Sequence, residues 1–187
     1  MATATNVGSI YERVRPSNLD DFVGFTDVVQ RIEMLQEAIS FVSQAVWISG
    51  PSGVGKTTLA RIIASMVSSD LTTYEVDAQD VTLDQIREWE YQFSIKPLWC
   101  DAYCVIINEA HGLSTRVISR MQTLLEDTQV MRNSTWIMTT TDKGQQHLFD
   151  TKFDFLPFMG RMLIFELTPS DDDYRAMATR IAKVAND

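Results

Sequence analysis

Apolar positions along this chain follow two rhythms. Short apolar or β-branched runs read as strands at Ala45–Ser49, Thr72–Val76, Tyr103–Ile107, Ser134–Thr140 and Met162–Leu167. Between them, apolar residues recur every three or four positions. Thr26 is placed to cap a helix carrying Val28, Val29, Ile32, Leu35 and Ile39, and a second opens at Lys56 with Leu59, Ile62, Ile63 and Met66. Leu83–Phe93 reads as a third. Ser114 caps a fourth running to about Asp127, with Val117, Ile118, Met121, Leu124 and Leu125 on one face and Arg116 and Arg120 on the other. A last helix, Asp171–Ala185, begins with three aspartates, which suit the positive end of the helix dipole. The stretch 143–160 offers no clear element and is long for a plain connection, which predicts a functional loop or a disguised helix. Strands alternating with helices predict an α/β fold: a parallel sheet covered on both faces.

Composition narrows this picture. The 187 residues are 45% hydrophobic and 22% charged, as in ordinary globular proteins, and the length predicts one domain after a flexible, polar N-terminus over residues 1–12. Sixteen basic against 25 acidic residues give a net charge of −9. A protein that coats nucleic acid through bulk charge is basic, so phosphate recognition here must come from a local device. Cys100 and Cys104 supply neither a disulfide framework nor a four-cysteine zinc site, and Cys104 reads as a small core residue. The longest apolar run, Ala102–Ile107, is too short to span a membrane, and the first residues lack an apolar signal core. The expectation is a cytoplasmic, reduced protein with no membrane partner.

The local device is Gly50-Pro51-Ser52-Gly53-Val54-Gly55-Lys56-Thr57, which fits G-x-x-x-x-G-K-[ST] between a strand and a helix. Glycines let backbone N–H groups curl around a phosphate, and the helix N-terminus adds its dipole. Lys56 is suited to the β/γ oxygens, and the Thr57 hydroxyl to a Mg²⁺ ion that keeps most of its waters. The pattern points to a nucleoside triphosphate. It does not identify the reaction.

A second apolar strand ends in Asn108-Glu109-Ala110-His111, 52 residues after Lys56. In phosphate-loop proteins such a strand end carries an acid that orders the metal's water shell and a glutamate that polarises the attacking water. Glu109 fits the second role. Asn108 takes the first position without a charge, so it can contact Mg²⁺ only through a bound water. His111 reads as a packing or hydrogen-bonding residue.

The run Val105-Ile106-Ile107-Asn108-Glu109-Ala110-His111-Gly112-Leu113-Ser114 resembles the D-E-A-H-x-L-S Walker B segment of DNA-polymerase clamp loaders, with Asn for Asp. Arg13-Val14-Arg15-Pro16 through Val23-Gly24 resembles their opening motif, and Tyr74-Glu75-Val76-Asp77-Ala78 through Glu88 their stretch between Walker A and B. Thr123-Leu124-Leu125-Glu126-Asp127 resembles the end of the following helix. Met138-Thr139-Thr140-Thr141-Asp142 resembles their sensor 1 strand end, and Gly160-Arg161-Met162 keeps only the arginine of S-R-C. The resemblance covers about residues 10–170 and is to the AAA+ clamp-loader clade, bacterial gamma/tau-like and replication factor C small subunit-like.

The resemblance implies a P-loop NTPase of AAA+ type with a five-stranded parallel sheet of order 5-1-4-3-2, a nucleotide-binding domain over 13–168, and the start of a helical lid or a C-terminal helix over 169–187. On this resemblance the lid is expected to be largely absent and the family's collar missing. The cofactors implied are ATP and Mg²⁺. Lys56, Thr57, Glu109 and Thr141 would form the cis site, with Thr58 beside the loop and Arg13, Arg15, Pro16 and Val23 bordering adenine and ribose. Arg161 would act in trans as an arginine finger. Arg116 and Arg120, four residues apart on one helix face, stand where family members track DNA, although a solvated face accounts for them equally well. The partners implied are other AAA+ clamp-loader subunits, a sliding clamp, and primer-template DNA in the assembled complex only.

This sequence departs from the family at Asn108, in the 20 residues separating Thr141 from Arg161, and in lacking the four-cysteine zinc module. Two other readings stay open: an ATP-sensing subunit that hydrolyses slowly or not at all, and a small P-loop nucleotide kinase. The kinase reading lacks an arginine-rich lid, since 143–160 offers only Lys143 and Lys152.

Overall fold

In a computed structural model, residues 14–151 and 155–186 are described. The strands are β1 (Ala45–Ser49), β2 (Thr73–Asp77), β3 (Tyr103–Asn108), β4 (Ser134–Thr140) and β5 (Leu163–Glu166). All neighbouring pairs run parallel, in the order β2-β3-β4-β1-β5, which is the predicted order read from the other edge. The helices are α1 (Thr26–Ala38), α2 (Lys56–Ser65), α3 (Leu83–Phe93), α4 (Thr115–Glu126), α5 (Thr128–Met131), α6 (Asp142–Thr151), α7 (Phe155–Met159) and α8 (Asp171–Asn186). Among the described residues no helix is long and apolar enough to cross a membrane.

The period-2 pleat sorts each strand onto two cores. From β1, Trp47 joins a layer with Trp89 and Phe93 of α3, Met121 of α4, Trp136 of β4 and Phe155 and Phe158 of α7. Val46 and Ile48 point the other way, to Ile32 of α1, Leu59, Ile62 and Ile63 of α2, and Phe165 of β5. β1 and β4 are buried along their whole length, whereas β2 at the sheet edge is half-exposed. Cys104 lies wholly inside β3, and burial pushes its thiol far up, so it stays protonated. The loop between α3 and β3 leaves Leu98 87% and Trp99 90% exposed.

Three expectations change. The featureless stretch 143–160 contains α6 and α7, so its second alternative, a disguised helix, is the correct one. Thr26 is the first helical residue of α1, not its cap; the cap position is Phe25, in a left-handed conformation (φ 53°), and its N–H donates to Asp173 Oδ1 of α8 at 2.8 Å. The second strand sits one residue later than predicted, at Thr73–Asp77. The predicted flexible segment 1–12 lies outside the described residues.

Candidate functional site

The C-terminal ends of β1, β3 and β4 converge on the loop that leaves β1. Gly50 begins it with φ 152°, and a Cβ there would lie 2.5 Å from the Leu167 carbonyl oxygen. Gly55, at φ 103°, takes the cap position of α2 in a left-handed conformation that side chains rarely adopt. The loop therefore needs glycine at both ends, where it turns off β1 and where it enters α2.

Lys56 is 6% exposed and curls back over the loop, donating from Nζ to the Gly50 and Pro51 carbonyls at 3.0 and 2.8 Å. Burial pulls its pKa down, and Glu109 and Asp142 offset part of that. Next along α2, the Thr57 hydroxyl donates to Asn108 Oδ1 at the end of β3 (3.1 Å). The same oxygen accepts from the Thr139 hydroxyl of β4 (3.1 Å). Asn108 Nδ2 donates to Glu75 Oε1 on β2 (2.9 Å), and Arg61 of α2 grips both oxygens of Glu75, at 2.7 and 3.0 Å. Burial pushes the Glu75 pKa up, but hydrogen bonds from Arg61 and Asn108 and the Arg61 charge outweigh it, so the carboxyl titrates below its ordinary range.

Glu109 follows immediately with φ 51° and ψ 48°, a conformation uncommon for a side chain larger than glycine. Its carboxylate lies 3.3 Å from His111 Nδ1, which also contacts the Thr140 hydroxyl at 3.2 Å. His111 is thus the hydrogen-bonding residue expected of it. Gly144 of α6 packs so closely on this imidazole that a Cβ would meet Nδ1 at 2.4 Å.

On the other flank of the loop a cleft of about 380 Å³ is lined by Arg15, Pro16 and Val23, by Gly53 to Thr58, and by Met177, Arg180 and Ile181 of α8. The sequence pointed to the first two groups and missed α8. Arg180 is tied to Asp21 at 3.0 Å. Arg13 lies outside the described residues.

Thr141 follows β4 directly, and its hydroxyl accepts from Gly144 N–H at the start of α6 (3.2 Å). The β4 threonine that touches Asn108 is Thr139, which lies within the sensor 1-like motif but is not marked out by it. Arg161 stands before β5, at the opposite end of the strand from the loop, where it pairs with Glu126 of α4 and the Pro157 carbonyl. Arg116 is exposed on α4, whereas Arg120 is engaged with Glu90 of α3.

Chemically, the loop offers curled backbone, one cation and a hydroxyl beside a neutral oxygen acceptor. Among the described residues no group of three His, Cys, Asp or Glu could hold a metal unaided. Thr57 and Asn108 instead suit a hydrated hard cation that shares its ligands with phosphate.

Comparison with known proteins agrees with this geometry. A family model described as the Holliday junction DNA helicase RuvB P-loop domain matches residues 14–132. The replication factor C small subunit of Haloarcula marismortui is 28% identical over 183 residues, covering 93% of this chain and 51% of that protein. The Holliday junction branch migration complex subunit RuvB of Thermotoga petrophila is 30% identical over 120 residues, covering 63% of this chain and 34% of that one. The chain thus spans about half the length, or less, of these relatives. The solved Thermotoga maritima RuvB branch migration motor superposes with a TM-score of 0.69 at 22% identity, over 93% of this chain and 55% of that one.

Proposed function

This chain belongs to the Holliday junction DNA helicase RuvB P-loop domain family of AAA+ proteins, and from that premise we propose that it is the ATP-binding and ATP-hydrolysing module of a clamp-loader-type assembly. Such an assembly would load a sliding clamp onto primer-template DNA. The observation that carries the nucleotide assignment is the convergence of Lys56, Thr57 and Asn108 at one glycine-hinged loop. The clamp-loader reading rests on the replication factor C likeness, which runs over 93% of the chain, and on the motif resemblance at the C-terminal ends of β3 and β4.

In this reading the Lys56 ammonium leaves the Gly50 and Pro51 carbonyls for the β- and γ-phosphate oxygens, a charge-assisted exchange. Thr57 and, through water, Asn108 would hold Mg²⁺, which when bound would offset the negative charge of the phosphates. Glu109 turns from His111 to the attacking water and takes its proton. Thr139 keeps Asn108 in register, Thr141 rigidifies the start of α6 beside the site, and the cleft lined by Arg15, Pro16, Val23 and α8 takes the base. Arg161 lies a full strand from its own loop, which supports a role at a neighbouring subunit's γ-phosphate. Arg116 is the stronger DNA-contact candidate, because Arg120 already has a partner.

The test is turnover. ATP hydrolysis should rise when primed DNA and a sliding clamp are added together, and mass measurement should reveal a larger oligomer with ATP·Mg²⁺ than without. A monomer under both conditions, with turnover indifferent to clamp and DNA, would overturn the assignment. A second reading, a branch-migration-type motor module, is favoured by the RuvB family match. It predicts stimulation by four-way junction DNA without any clamp.

A further inference from the structure

Asn108 is held from three elements at once, and the arrangement distinguishes the two ends of its amide. Oδ1 accepts from the hydroxyls of Thr57 on α2 and Thr139 on β4. Nδ2 faces Glu75 Oε1 on β2 at 2.9 Å. Rotating the amide by half a turn would set its oxygen against a carboxylate, so the hydrogen-bond pattern fixes the orientation. Arg61, one helical turn after Thr57 on α2, binds both oxygens of Glu75 and holds the carboxylate in place. The Glu75 side chain is 28% exposed, so water screens it only in part.

We propose that Glu75 is the displaced carboxylate of this site: a positioning residue that aims the Asn108 oxygen at Thr57 and the cation's water shell, and that makes position 108 selective for asparagine over aspartate. The inference rests on the nucleotide reading above. An aspartate at 108 would bring a carboxylate oxygen to within hydrogen-bond distance of Glu75 Oε1 with no proton between them. Asparagine removes that repulsion, and the negative charge moves one hydrogen bond outward, onto β2. The missing Walker B acid is on this account relocated.

Three variants of the full chain test this: Glu75→Gln, Asn108→Asp, and the exchange Asn108→Asp/Glu75→Gln, in which the hydrogen bond reverses direction. Binding of the non-hydrolysable ATP analogue AMPPCP is measured by calorimetry in Mg²⁺ and in EDTA, and Tm is measured in EDTA without nucleotide. In Glu75→Gln, affinity in EDTA should match wild type, while the gain on adding Mg²⁺ falls about threefold to tenfold, the scale of one charge-assisted hydrogen bond. Asn108→Asp alone should lower Tm by roughly 4 °C or more. The exchange should restore both Tm and the Mg²⁺ gain. A merely structural role for Glu75 would weaken binding equally in both buffers. An undiminished Mg²⁺ gain in Glu75→Gln, an Asn108→Asp protein as stable as wild type, or an exchange no better than Asn108→Asp would each overturn the inference. If the wild type binds no AMPPCP at all, the nucleotide reading falls, and the Tm comparison still decides whether Glu75 selects asparagine.

Discussion

Lys56 satisfies its ammonium with two carbonyls of its own loop. Burial lowers its pKa relative to the unfolded chain, so the charged form is disfavoured in the native state, and this cost falls away only as pH rises toward the ordinary lysine value. Lys56→Met should therefore lose nucleotide affinity by roughly 100-fold, the scale of two charge-assisted bonds, while Tm without nucleotide stays level or rises at neutral pH. Fluorescent-ATP titration and thermal denaturation together check this; a clear drop in Tm would contradict it. Gly50 is a different case. Its missing Cβ leaves room for the Leu167 carbonyl, so Gly50→Ala should cost about 2–3 kcal/mol in urea unfolding, from overpacking and backbone strain together.

Among elements, α8 carries more of the fold than its exposed, acidic sequence suggests. Asp173 accepts from Phe25 N–H and from Ser170, whose side chain and backbone hold its carboxyl below the usual range. It thereby caps α1 from 148 residues away, which is why local reading assigned the cap to Thr26. Asp173→Ala should cost about 1–2 kcal/mol, as lost helix caps do. Because the folded pKa is depressed, that contribution is present above the ordinary carboxylate value and is lost as pH falls through the folded one. Tm profiles of wild type and variant should converge on acidification, and parallel profiles would reject the account. Strong periodicity made α2 and α4 legible to within a residue, and α3 was legible at its full span although its apolar spacing is mixed. α6 was hidden by Gly144, a poor helix former retained because the His111 ring packs on it. In α7, Pro157 is tolerated because the first turn of a helix has N–H groups without intrahelical partners. The Glu75–Asn108–Thr139 chain depends on sheet register and on which face of α2 carries Arg61, neither of which a linear motif records.

At the scale of the whole molecule, the loop and Arg161 occupy opposite ends of the sheet. Arg161→Ala should leave ATP affinity within about twofold, since it adds no contact to its own loop, while assembly-dependent hydrolysis falls by about 1,000-fold or more if it serves as a finger. Unaltered turnover in an oligomer of verified mass would exclude that role. The net charge of −9 sets a further expectation: DNA affinity should be absent in the isolated chain and emerge only on assembly.

The four tryptophans report on different parts of this architecture. Trp47, Trp89 and Trp136 are sealed in one core layer, whereas Trp99 stands 90% in water on the loop before β3. Intrinsic fluorescence should separate into a blue-shifted majority and one red-shifted emitter that iodide extinguishes first. Trp47 donates its indole N–H to Gln145 of α6 at 3.0 Å, and Gln145 lines a cleft beside Gly50 and Asp142. A ligand in that cleft would change the blue component and leave the quenchable one untouched. The protein thus carries two internal dyes, one reading the site and one reading the far surface, with no label attached.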